Sequence, residues 1–280
     1  MIHVGMFSAG VSSAVAVKLV AGELDAIFYT HIDDQHPDTL RFVWDCHTWF
    51  DRDITIRRSP LRTVENAIRQ ASFVSTPRGT IPCSRLLKAR VRKDWEREAG
   101  GPFTYYWGLD AAEAGRAEGI ERAMPRHEHR FPLLAQNISK QDAHDMLVAA
   151  GIKRPAMYEL GYHNNNCVGC VRGGMGYWNR IREDFPEVFA ARAKLEREIG
   201  GSCINGVYLD ELEPERGRHQ GPIVPDCGLM CERYKQDLNA RRKVLNEGGA
   251  SLAAQCGEDV AFSPSTRRAR PYCGGIRRER

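Results

Sequence analysis

The residues most able to do chemistry by type and spacing come first in the chain. Ser8-Ala9-Gly10-Val11-Ser12-Ser13 lies between an apolar run of strand length, Ile2-His3-Val4-Gly5-Met6-Phe7, and a stretch with apolar residues at helical spacing. A strand that turns into a helix through small residues presents backbone N–H groups and the positive end of the helix dipole to an anion. Ser8, Ser12 and Ser13 add hydroxyl donors, and Gly10 permits close approach of the backbone to a phosphate or sulfate. The plain alternative is an ordinary strand–turn–helix unit with no ligand. No Gly-Lys-Ser/Thr follows, so this is not the GxxxxGK[ST] nucleotide loop.

Cysteine is the second chemical signal. The nine are Cys46, Cys83, Cys167, Cys170, Cys203, Cys227, Cys231, Cys256 and Cys273. The N-terminus runs straight into the strand without a basic leader, which leads us to expect a cytoplasmic protein with reduced thiols. Such thiols are metal ligands or reactive groups rather than disulfide partners. Cys46, in a helical pattern among aromatic residues, reads as a core residue. Cys273 stands among arginines, which would lower its pKa and make it a candidate nucleophile.

The elements that must position these groups alternate. Residues 25–30, 53–56 and 103–108 read as further strands, and residues 37–50, 61–70 and 84–98 as helices. This alternation predicts an α/β fold: a Rossmann-like parallel sheet with helices on both faces. Ligands of such sheets bind at the carboxyl ends of the strands, where Ser8, His31 and Gly108 emerge. Residues 161–176 are rich in Gly, Asn and Cys, and helical signal returns at 177–182 and 186–199. A soft boundary near residue 183 divides a nucleotide-binding domain, 1–183, from a helical and irregular Cys-containing extension, 184–280. The chain has 42% hydrophobic and 27% charged residues and a net charge of +4, the composition of a soluble globular protein. No apolar run is long enough for a membrane span. Six arginines fall between Arg267 and Arg280, a tail suited to the phosphates of tRNA or DNA, or simply to solubility.

Several ordered segments carry a family resemblance. The Ser8–Ser13 run resembles the pyrophosphate loop, Ser-Gly-Gly-x-Asp-Ser, of the adenine nucleotide α-hydrolase superfamily, with Ala9 at a glycine position and Ser12 at the aspartate of ATP-cleaving members. His31-Ile32-Asp33-Asp34-Gln35-His36-Pro37-Asp38-Thr39 resembles the segment after the second strand in the phosphoadenosine phosphosulfate (PAPS) reductase branch. Pro82-Cys83-Ser84-Arg85-Leu86-Leu87-Lys88 resembles its Cys-containing helix start. Gly108-Leu109-Asp110-Ala111-Ala112-Glu113-Ala114-Gly115-Arg116 resembles its Gly-x-Arg-x-x-Glu segment, with Asp110 where an arginine is usual. The run from Phe131-Pro132-Leu133-Leu134 through Leu160-Gly161-Tyr162 to Cys167-Val168-Gly169-Cys170 follows in the expected order, in the manner of PAPS-reductase-like proteins carried by bacteriophages.

The resemblance implies roles. Ser8, Gly10, Ser12, Ser13, Asp33, Gly108, Glu113 and Arg116 would bind an adenine nucleotide, either ATP or PAPS. Asp33, Asp34 and Asp38 could hold a ribose hydroxyl, the adenine amine or Mg2+, and Asp38 could simply favour its helix dipole. Glu113 and Arg116 could pair on one helix face, or Arg116 could grip a phosphate. Cys83, Cys167 and Cys170 would ligate a [4Fe–4S] cluster, with Cys227 or Cys231 as fourth thiolate, and zinc is the competing metal. Three functions remain open at this point: ATP-dependent adenylation and sulfur transfer onto a nucleic acid or small metabolite, reduction of a sulfonucleotide with Cys273 as nucleophile, or nucleotide or nucleic-acid binding without catalysis.

Overall fold

The computed structural model describes residues 1–76 and 79–225. Cys227, Cys231, Cys256, Cys273 and the arginine tail lie outside the described residues. Five strands form one sheet in the order β3-β2-β1-β4-β5: β1 Ile2–Phe7, β2 Ala26–His31, β3 Ile54–Arg58, β4 Phe103–Trp107 and β5 Glu128–Arg130. Every pairing is parallel, with Val4 opposite both Ala26 of β2 and Tyr105 of β4. The expected α/β architecture is therefore present.

Alternation along β1 and β2 shows why both faces need cover. Val4 and Phe28 join Phe103 and Tyr105 in one apolar cluster. There Phe28 meets Trp95 of α4, Arg90–Ala99, with ring centroids 4.9 Å apart. Phe7 points to the other face, where it meets Phe42 and Phe50 of α2, Asp38–Phe50, at 6.3 and 5.5 Å. On that face α1, Val11–Leu19, buries Val11, Ala14, Val15, Ala16 and Val17. The remaining helices are α3 Val64–Ala71, α5 Ala114–Ala123, α6 Pro132–Ala135, α7 Lys140–Ala149, α8 Ala156–Glu159, α9 Met175–Asp184 and α10 Pro186–Ile199.

Two features of the local structure bear on the site. The helix expected from residue 84 begins as a π-helical segment, Ser84–Ala89, immediately after Cys83; such wide turns recur at functional positions. The soft boundary near residue 183 lies within α9, and the apolar cluster around Trp178 extends from Met157 to Leu212 across it. Among the described residues no helix is long and apolar enough to cross a membrane.

Candidate functional site

The chain leaves β1 toward β2 on one side and returns to β4 on the other, so the sheet's switch point lies between the carboxyl ends of β1 and β4. Ser8 to Gly10 emerge there from β1, and Gly108 from β4. A Cβ built on Gly108 would stand 2.3 Å from the Ser13 Cα, so only glycine lets this strand end lie against the start of α1. The Ser13 hydroxyl organises the loop. It accepts from the Ser8 N–H at 3.1 Å and the Ser8 hydroxyl at 3.0 Å, and it donates to the Gly10 carbonyl at 2.9 Å.

The left-handed residue of this loop is Ala9, at φ 59°, in the position where the resembled motif carries glycine. Gly10 itself has φ −99° and ψ 159°, a conformation open to any residue. A Cβ on Gly10 would make only ordinary contacts, 3.5 Å from the Tyr158 hydroxyl and 3.6 Å from the Ser8 hydroxyl. The start of α1 has no side-chain cap and no acidic residue in its first turn, so its dipole is not offset by a carboxylate. Ser12, in that first turn, is partly exposed.

The loop after β4 adds polar groups. Asp110 caps the short turn Ala111–Glu113 by accepting from the Ala112 N–H at 3.1 Å, while Glu113 accepts from the Asp110 N–H at 3.2 Å. Glu113 also pairs with Arg116, whose side chain is largely exposed. Asp110 thus has a structural task at the position where the resembled segment carries arginine. Lys140, at the start of α7, lies within electrostatic reach of Asp110, Glu113 and Arg116. Its ammonium donates to the Asn164 side chain at 2.7 Å. Burial holds it below the usual lysine range.

The acidic residues after β2 divide by role. Asp34 accepts from the Val64 N–H at 2.8 Å and lies 3.6 Å from Arg192; burial raises its pKa. Asp38 accepts two hydrogen bonds from Arg41 and one from the Ala156 N–H, so it clamps α2 to α8, and the Arg41 guanidinium lowers its pKa. Both carboxylates are engaged in holding the fold. Asp33 pairs with Arg62 at 2.7 Å and keeps its buried Oδ1 without a hydrogen-bond partner, 3.8 Å from Arg58.

Beyond β2 lies a region rich in thiols. Cys167 forms an isolated antiparallel bridge with Gln35, and the Val168 N–H donates to the Asp34 carbonyl at 2.8 Å, so the CxxC loop is laid against the β2 turn. Tyr177 fixes the loop from the other side: its hydroxyl accepts from the Cys170 N–H at 2.9 Å and donates to the Cys167 carbonyl at 3.0 Å. Cys83 is buried in the apolar cluster against which Cys167 and Cys203 pack. Cys83, Cys167 and Cys170 feel one another's charge, and Cys203 feels that of Cys170. All four thiols are free. Burial pushes Cys167 up to about 12 and raises Cys83 and Cys203 as well, so these groups are protonated at neutral pH.

The resemblance implies a thiolate-held metal group, and the donor set suits it. Several free thiols meet beside Lys88 and Arg192, cations that would offset the charge of thiolates. Among the described residues, no three His, Cys, Asp or Glu side chains stand close enough to hold a single metal ion. Zinc, with Zn–S bonds of about 2.3 Å, needs its sulfurs packed around one point. A polynuclear iron–sulfur core spaces its cysteines more widely, and this set of thiols is better matched to that.

Two hydrogen bonds tie the thiol loop to the anion loop. Asn165 donates to the Ala9 carbonyl at 2.7 Å, and the Tyr158 hydroxyl accepts from the Val11 N–H at 3.3 Å. Of the expected site residues, Ser8, Gly10, Ser13 and Gly108 are in mutual contact, Glu113 and Arg116 are paired, and Cys83, Cys167 and Cys170 share a neighbourhood. Cys227 and Cys273 fall outside the described residues. Sequence reasoning gave no role to Asn165, Tyr158, Lys140, Cys203 or Arg192. Asn165 and Tyr158 lie within the segments that carry the resemblance; Cys203 was visible only as one of nine cysteines. Cys170 also borders a cavity of about 430 Å³ that is lined by His163, Arg172, Arg180, Arg218 and His219. No family model matches the chain, and no curated protein is similar enough to count as a relative.

Proposed function

We propose that the chain is an enzyme of nucleotide-dependent sulfur chemistry. It takes an adenine nucleotide at the mouth between β1 and β4 and works on an anionic acceptor, a nucleic acid or small metabolite, beside its cysteines. The observation that carries the reading is the pair of bonds from Asn165 and Tyr158, which set the CxxC segment directly against the anion loop.

In this reading the amides at the start of α1 and the Ser8 hydroxyl receive the phosphate or sulfate, with no carboxylate in the first turn to repel it. Lys140 and Arg116 supply positive charge from the side of β4. Asp33, with its free Oδ1, serves as the polar acceptor at the end of β2 for a ribose hydroxyl or the adenine amine. Cys83, Cys167 and Cys170 would hold an iron–sulfur cluster, which when bound would supply sulfur or electrons. The cationic cavity beside Cys170 favours a negatively charged acceptor. The arginine tail would add contacts to a polynucleotide.

The test is to titrate ATP and PAPS side by side into protein purified without oxygen, using the intact chain and Ser13→Ala. At least one nucleotide should bind. The variant, lacking the hydroxyl that knits the loop together, should bind it roughly tenfold more weakly, the equivalent of losing about 1.4 kcal/mol. Failure of both nucleotides to bind the intact chain would overturn the proposal.

A further inference from the structure

Cys203 stands just past the end of α10, where the helix closes with Gly200 in the left-handed conformation at φ 74°. Its backbone is held firmly. The Cys203 N–H donates to Glu196 Oε1 at 2.5 Å, while the other oxygen of this fully buried carboxylate accepts from the Leu209 N–H at 2.7 Å. One residue earlier, the Ser202 carbonyl accepts from the Ser75 hydroxyl at 3.1 Å. The side chain packs against two apolar clusters, one of them shared with Cys83 and Cys167, and lies within electrostatic reach of Cys170.

Arg192 supplies an independent observation. It is only 5% exposed, and its Nε and Nη1 have no hydrogen-bond partner. Its one opposite charge is Asp34, 3.6 Å from Nη2. Its charge reaches both Cys83 and Cys203. Buried guanidinium N–H groups left without acceptors are costly, so an orphaned pair of this kind points to an anionic occupant beside it. Thiolates and the sulfides of a cluster are such acceptors.

We infer that Cys203 is the fourth thiolate of a [4Fe–4S] cluster carried with Cys83, Cys167 and Cys170, and that Arg192 donates its two free N–H groups to that cluster. This rests on the cluster reading given under Proposed function. It replaces Cys227, expected from the sequence, with a cysteine that the fold holds beside the other three. The four thiols lose their protons on ligation, and the Arg192 guanidinium offsets part of the resulting negative charge.

The experiment is anaerobic reconstitution of the full chain with ferrous iron and sulfide, followed by iron and sulfide analysis, visible absorbance and electron paramagnetic resonance of the reduced protein. The intact chain should hold about four irons and four sulfides. Cys203→Ala and Cys203→Ser should each lose iron at least about threefold or give an altered resonance, with circular dichroism and ATP binding kept. Cys227→Ser should match the intact chain. Arg192→Gln should retain iron and shift the midpoint potential downward, because the reduced and more negative cluster loses its donors. Full iron content with an unchanged spectrum in both Cys203 variants overturns the assignment, as does loss of the cluster in Cys227→Ser alone. An unmoved potential in Arg192→Gln removes the role of Arg192. An intact chain that takes up only zinc, or nothing, overturns the cluster reading itself and this assignment with it.

Discussion

The ends of two neighbouring strands, β1 and β2, are finished on opposite plans. Beyond β1 the polar groups satisfy one another: the Ser13 hydroxyl serves three partners, Asn165 holds the Ala9 carbonyl, and Gly108 fits against Ser13 with no room for a side chain. Beyond β2 they do not: Arg192 keeps two N–H groups and Asp33 one oxygen without a partner, and the thiols share a neighbourhood without bonding one another. The anion loop has its shape before a ligand arrives, as pre-organised sites do. The thiol region is built so that an occupant would complete it. The two should therefore respond differently to the same kind of insult.

The largest difference should come from Gly108→Ala. The added methyl meets backbone at 2.3 Å rather than the flexible tip of a side chain, so the start of α1 must move. Overpacking of this kind costs about 1–3 kcal/mol. Thermal melting should fall by several degrees and nucleotide affinity by more than tenfold. Iron uptake in the thiol region should stay close to that of the intact chain. Equal losses at both sites would mean that they form one cooperative unit, and the contrast would fail.

The same contrast separates what the sequence revealed from what it hid. The α/β alternation, the first four strands and the anion loop were legible because apolar runs and small-residue turns are local signals. β5 has only three residues, Glu128–Arg130, too few to show a period. α7 buries Ala143, His144, Asp145, Met146 and Leu147 in succession, so no amphipathic stripe marks it. The spacing of Cys83, Cys167 and Cys170 was readable through the family resemblance. Cys203 was not, because it is brought to them by the packing of α10 on the rest of the fold. Gly10 was credited with the loop's special backbone, whereas Ala9 adopts it. Composition cannot show which of two adjacent small residues turns left-handed.

A smaller effect should follow from acid, and it tests the scaffold behind the anion loop. His144 on α7 packs edge-on against Tyr158 with centroids 4.6 Å apart, and Tyr158 is the residue that holds the Val11 N–H. Burial first, then the charges of Arg154, Lys140 and His163, push its pKa from 6.5 down to about 3. The unfolded chain takes up a proton near 6.5 while the folded one stays neutral at this ring. Stability from this source is therefore complete above 6.5 and is lost as the pH falls from there toward 3, by at most about 1.4 kcal/mol per pH unit. Denaturant melts at pH 7 and pH 5 should show this slope in the intact chain and a shallower one in His144→Phe. Equal slopes would show that the ring is not the titrating group.

The smallest expected effect is also the one that most sharpens the contrast. Ala9 is fully buried and has φ 59°, a conformation that costs a residue bearing a Cβ about 1–2 kcal/mol and costs glycine little. If the β1 loop is pre-organised by its hydrogen bonds, Ala9→Gly relieves strain without changing the loop's shape. Part of that relief is offset by the greater freedom of glycine in the unfolded chain, so the net gain should be up to about 1 kcal/mol. Thermal melting should rise slightly while nucleotide affinity stays within about twofold, since the Asn165 bond is made to the Ala9 carbonyl and not to its side chain. A variant that is more stable but binds nucleotide much more weakly would mean that the strained alanine itself holds the loop in its binding shape. Pre-organisation would then reside in the backbone strain at Ala9 rather than in the hydroxyl of Ser13.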